Sequence, residues 1–177
     1  METPLRELEF AALRATIRER GTVRLIITWA TFVLWAALLL AAIVWAIVPA
    51  AFLAPLLVLA AGFEAVLAIH TGVERIGRYL QVFFEGDVAG APGSGGWETT
   101  AMTFGQRFPG GPDPLSSVLF VLAAVLNGVL GVSGGVPAEQ IGVGVFHAAF
   151  VIRVIAAGRR AGRQRAQDLE RFRALLP

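Results

Sequence analysis

The chain has 177 residues, 56% of them hydrophobic, with a mean hydropathy of +0.68, outside the soluble globular range and typical of membrane spans. All 15 cationic side chains are Arg, the net charge is +2 and the pI is near 10.3. The absence of Cys excludes disulfides, thiolate catalysis and Cys-based metal or iron–sulfur sites.

Apolar runs cover residues 25–48, 51–73, 115–133 and 141–158. A span needs about 20 apolar residues to cross a hydrocarbon core of about 30 Å; the first two runs meet this comfortably and the last two are slightly short. Arg falls before the first run, between the second and third, or from the inner half of the fourth onward. The connections around Pro49 and around 134–140 carry none. This positive-inside pattern predicts an all-α membrane protein with four transmembrane helices in two antiparallel hairpins, both termini cytoplasmic. The Arg-rich, Lys-free composition points to a bacterial inner-membrane protein. Basic charge at span ends is explained by this bias, so nucleic-acid binding is not expected.

In chain order, residues 1–24 form a cytoplasmic amphipathic segment, with Thr3 as N-cap and Pro4 in the first helical position. Phe10, Leu13 and Ile17 share one face while Leu5 and Leu8 fall on another. The apolar run after it is too long for the core of a signal peptide, so it is expected to be a retained span. Trp29 and Trp45 sit near its two ends, as in aromatic belts. Pro49 and Pro55 bracket a tight turn into span two.

Span two is predicted to continue as a helix through HTGVERIGRYLQVFFE. His70, Glu74, Arg78, Gln81 and Glu85 make a polar face, expected in water, and Val73, Ile76, Leu80 and Phe83 or Phe84 an apolar one. Residues 86–114 form a Gly/Pro-rich cytoplasmic loop, within which Trp97, Ala101, Phe104 and Phe108 suggest a short interfacial helix. The acids Glu85, Asp87, Glu98 and Asp113 in or beside it are expected to be solvated. In the second hairpin, Gly128, Gly131, Gly142 and Gly144 are expected to let helix backbones approach closely. Val-Pro-Ala occurs at both outer turns, 48–50 and 136–138, a weak sign of an internal repeat. The basic cytoplasmic helix, 159–177 with its start near 154, places Arg159, Arg160, Arg163 and Arg165 against anionic lipid headgroups, with Leu169, Phe172 and Leu176 on one face.

Ionisable or amide groups within spans need a partner or a purpose. At 1.5 Å per residue, Glu64 lies about 13 Å from the inner end of its span, His147 about 16 Å and Asn127 about 18 Å. With Arg153, about 8 Å in, they make a candidate midplane cluster. It reads either as polar glue between helices or as the path of a small proton- or ion-coupled transporter. Haem between His70 and His147 is disfavoured, because the rings differ by about 11 Å in depth. No H-E-x-x-H helix, P-loop or G-x-S-x-G elbow is present. The expected role is therefore a non-enzymatic structural or accessory component, associating with a membrane-protein partner or with itself.

Overall fold

A computed structural model describes residues 3–45, 48–85, 96–107, 112–133 and 135–176. Among these the chain is almost entirely helical, with no strand: α1 Thr3–Trp45, a 3-10 turn η1 Pro49–Phe52, α2 Leu53–Phe83, α3 Trp97–Arg107, α4 Pro112–Gly131 and α5 Pro137–Arg173. Helices α1, α2 and α5 are long and apolar enough to cross a membrane. The apolar stretch of α4 covers only Ser116–Gly131. That stretch is about 24 Å long, less than the roughly 30 Å of a typical hydrocarbon core.

The helices are longer than the predicted elements. The amphipathic N-terminus and the first apolar run form one helix of 43 residues, uninterrupted at Gly21, because one glycine costs only about 1 kcal/mol against the many good helix formers around it. The fourth apolar run and the basic segment likewise form one 37-residue helix. The expected short helix is α3; Phe108, Asp87 and most of the Gly/Pro-rich stretch lie outside the described residues.

The chain divides into two compact units, with α1, α2 and α5 contributing to both. The apolar unit comprises Leu25–Leu67 and Pro112–Arg159. Its core joins Leu56, Leu59 and Phe63 of α2, Phe120, Ala123 and Ala124 of α4, and Phe150, Val154 and Ala157 of α5; Phe32 and Trp35 of α1 pack against them. Phe120 is the hub, with ring centroids 5.0 Å from Phe32 and 5.4 Å from Phe63. At one end, a Cβ on Gly131 would meet Phe52 at 2.9 Å and Val143 at 3.0 Å. Gly135, at φ +83°, lies against Pro49. Gly128 and Gly131 thus sit at close approaches. Gly142 meets nothing within 4 Å and Gly144 only Val132 at 4.0 Å, so the expectation for these two is corrected: they do not face a tightly packed neighbour.

The polar unit comprises Met1–Arg24, Ala68–Gly111 and Arg160–Pro177. Its aromatic cluster joins Phe10 of α1, Tyr79 and Phe83 of α2, Phe84 in the turn that follows α2, and Phe172 of α5. Arg6 lies over the Phe84 ring at 5.3 Å and donates to the Phe83 carbonyl, while the Tyr79 hydroxyl donates to Glu9 at 2.8 Å. The polar face of α2 is not in water: Arg78 is buried, and Glu74, Gln81 and Glu85 are half-buried. The reason is that α1, α3 and α5 all supply charged or polar partners to it.

The closest helix contact was not foreseen. A Cβ on Gly62 would overlap the Thr31 side chain, whose hydroxyl already donates to the Ile27 carbonyl at 2.7 Å. Overpacking of this kind typically costs 1–3 kcal/mol. Gly62→Ala is therefore expected to lower the thermal midpoint in detergent by an amount equivalent to about 1–3 kcal/mol, and Thr31→Ala to recover part of it. An unchanged midpoint would show that the two helices separate freely here.

Candidate functional site

The four candidate midplane residues form two pairs in the apolar unit. Asn127 of α4 is fully buried and His147 of α5 nearly so. The Asn127 amide nitrogen lies 2.9 Å from the Phe52 carbonyl and 2.7 Å from His147 Nε2. His147 Nδ1 lies 2.7 Å from the Val143 carbonyl. A carbonyl only accepts, so the geometry selects one assignment. His147 is neutral with its proton on Nδ1, donating to Val143, while Nε2 accepts from Asn127. The second amide hydrogen of Asn127 goes to Phe52. Flipping the amide would set its oxygen against the Phe52 oxygen, which is repulsive. Three elements, η1, α4 and α5, are thereby tied through one side chain. Among the described residues, Asn127 Oδ1 is buried without a hydrogen-bond partner.

Glu64 of α2 and Arg153 of α5 form the second pair, with Arg153 donating to Glu64 at 2.8 Å. Arg153 also lies over the Phe63 ring at 6.0 Å. This pair is on the surface of the unit, with 49% of the Glu64 side chain and 40% of the Arg153 side chain exposed. Among the described residues no hydrogen bond joins it to Asn127 or His147.

The polar unit holds an ion-pair network absent from the sequence reading. Glu74 is its centre, accepting from Arg165 Nε at 2.9 Å and NH2 at 2.6 Å, with Arg78 at 3.7 Å and His70 Nε2 at 3.6 Å. Arg24 faces His70 Nδ1 at 3.0 Å. Because Arg only donates, that nitrogen accepts and the His70 proton sits on Nε2, toward Glu74. Both nitrogens of each imidazole are thus engaged by protein groups, so iron ligation would first have to break one of these contacts. Arg75 pairs with Asp168 at 3.5 Å. Thr71, Glu74, Arg78, Gln164, Arg165 and Asp168 border a cleft with room for about one water molecule.

Of the Arg residues expected at lipid headgroups, Arg159, Arg160 and Arg163 are exposed, whereas the Arg165 guanidinium is spent on Glu74. The loop acids Glu85 and Glu98 correct the expectation of solvated carboxylates. Glu85 accepts from the backbone N–H groups of Glu98 and Thr99, each at 2.8 Å, and from the Thr99 hydroxyl at 2.7 Å. It therefore caps the N-terminus of α3, where the helix dipole favours a negative charge. Glu98 in turn accepts from Arg14 of α1 at 2.7 Å. Burial holds the Glu98 carboxyl above its ordinary range, with the Glu85 charge adding to the rise and Arg14 opposing it.

Comparison with family models, curated proteins and solved structures finds no match to this chain.

The Asn127 geometry makes the two partners unequal. His147→Leu leaves one amide hydrogen unpaired, whereas Asn127→Leu leaves the buried His147 Nε2 without its donor and also removes the side-chain bond to the Phe52 carbonyl. Each is expected to cost up to about 2 kcal/mol in thermal unfolding, with Asn127→Leu the worse and the double variant below the sum. Additive effects would show that the bond carries no coupling.

Glu98 binds its proton more tightly in the folded state than in the unfolded chain. Its contribution to stability therefore rises as pH falls through the raised folded value toward the ordinary carboxylate value, and is lost in the opposite direction. The melting-temperature difference between wild type and Glu98→Gln is expected to grow in favour of wild type as pH is lowered across that window. A pH-independent difference would contradict it.

Proposed function

We propose that this chain is a multi-pass protein of the bacterial cytoplasmic membrane, with four spans in two antiparallel hairpins and both termini cytoplasmic. Its role is non-enzymatic: a structural or accessory component associating with a larger membrane complex or with itself. The Arg asymmetry supports the orientation. The shared core of α1, α2, α4 and α5 supports the four-helix arrangement, as do Pro49 against Gly135 and Phe52 against Gly131. The short apolar stretch of α4 fits a span that locally thins the bilayer. The exposed Arg159, Arg160 and Arg163 fit an anionic leaflet, each contributing about 1 kcal/mol of attraction.

The observation that carries the non-enzymatic reading is how the buried polar groups are used. Asn127 and His147 direct their hydrogen bonds to other helices or to their own backbone. Such bonds fix packing and leave no titratable lone pair facing a ligand. A proton- or ion-coupled transporter is the second reading, favoured by the exposed Glu64–Arg153 pair. In proteoliposomes, proton flux that Glu64→Gln abolishes would favour transport over the structural role.

Reporter fusions at Pro177, Gly95 and Gly135 test the architecture. A cytoplasm-active reporter is expected to work at Pro177 and Gly95, and a periplasm-active one at Gly135. A periplasmic signal at Gly95 would overturn the four-span arrangement.

A further inference from the structure

The Glu64–Arg153 pair is half-satisfied. Arg153 has five N–H donors, yet among the described residues its polar contacts are one hydrogen bond to Glu64 Oε2 and the Phe63 ring. Among the described residues the second Glu64 oxygen takes no hydrogen bond. Both side chains remain substantially exposed on the apolar unit. In a membrane-spanning chain that exposure faces hydrocarbon, where an ionised group is costly. The Glu64 side chain is too short to reach the interface, and Arg153 is turned onto Glu64 instead of snorkelling. Lipid tails offer neither donors nor acceptors to such a pair, whereas a protein surface does.

The face around the pair shows what fits. On α2, Ala54, Leu57 and Ala61 are exposed with Glu64 at heptad spacing, and the two alanines permit close helix approach. On α5, Ala149 and Ile152 are exposed beside Arg153. The face thus carries one acid on α2 and one base on α5, bonded at a common level. Rotating a copy by half a turn about the membrane normal keeps that level and reverses the order of the helices. Each Glu64 then meets the Arg153 of the second copy, and the surface is its own complement, as an isologous interface requires. An unrelated partner would need to reproduce both charges in reversed order.

We propose that this α2–α5 face is the interface of a two-fold homodimer, in which Arg153 bridges the Glu64 of its own chain and the Glu64 of the second copy. The inference rests on the membrane-spanning reading above and names the partner within it. The alternating ring of two acids and two bases leaves no charge facing lipid.

The native chain has no Cys, so introduced thiols report unambiguously. Two differently tagged full-length copies, one with Ala61→Cys and one with Ala149→Cys, are co-expressed and oxidised in carbonate-washed membranes. A mixed-tag covalent dimer is expected, and none when Ala149→Cys is replaced by Val129→Cys on the exposed face of α4. A second arm uses charge. Glu64→Arg makes one copy carry two bases at the pair, and Arg153→Glu makes the other carry two acids. Self-association, read by pull-down between tags, is expected to fall at least about tenfold for either alone, because like charges oppose across the interface. Co-expression of the two is expected to restore it, since every contact between copies is then attractive. Release of the wild-type chain by carbonate would overturn the membrane reading and this interface with it. Retention without a mixed-tag dimer, or with equal cross-linking to Val129→Cys, would overturn the interface alone. Failure of the two charge variants to recover each other while the cross-link forms would overturn the four-charge ring.

Discussion

An amide buried among apolar helices has to place its hydrogens, and the Asn127 side chain places both. One goes to the Phe52 carbonyl and the other to His147, so the turn before α2 and the His147 turn of α5 are fixed against the end of α4. Dispersion and apolar packing alone tolerate sliding, since one methyl group fits about as well as another. A hydrogen bond in low dielectric does not, because a shift of about 1 Å leaves two groups unpaired. The neighbouring glycines follow from it. The His147 ring would lie 3.1 Å from a Cβ on Gly128, and Phe52 2.9 Å from one on Gly131. The polar contact therefore requires small residues beside it.

The polar unit solves a different problem with similar means. Its helices meet through Arg and acidic side chains that are partly withdrawn from water. Exposed ion pairs contribute little, and a single buried pair can be neutral after desolvation. A carboxylate shared by several donors is better placed. Glu74 receives two nitrogens of Arg165, and Glu85 receives three donors at the start of α3. Such multidentate arrangements specify geometry more than they add stability. The cation–π contact of Arg6 on Phe84 and the Tyr79–Glu9 bond serve the same end with α1.

Polar residues in this chain are thus used to define which helix surfaces meet. This use is consistent between the apolar unit, where the buried groups Asn127 and His147 are few and neutral, and the polar unit, where they are many and charged. It is also why the exposed Glu64–Arg153 pair stands apart: among the described residues of the apolar unit, it holds two helices together with charges that remain substantially exposed.

Helical content, the long apolar runs and the sorting of Arg were legible from residue order, because hydrophobic periodicity and the cost of moving charge through lipid act along the chain. The candidate residues Glu64, Asn127, His147 and Arg153 were legible for the same reason: a polar residue in an apolar run stands out. Which of them pair was not, since partners 20 and 89 positions apart are chosen by helix rotation, which periodicity constrains only to within part of a turn. The polar face of α2 was read correctly as a face and wrongly as a solvated one. A stripe of Glu, Arg and Gln looks the same whether water or another charged helix lies beside it. The capping role of Glu85 and the approach of Thr31 to Gly62 gave no signal in the sequence, because a cap or a close approach exists only once a second element arrives. Residue order by itself determined where the chain is apolar, helical and positively charged. The tertiary structure decided the partner of each polar atom, because hydrogen bonds and ion pairs are set by distances of a few ångströms between segments far apart in the chain.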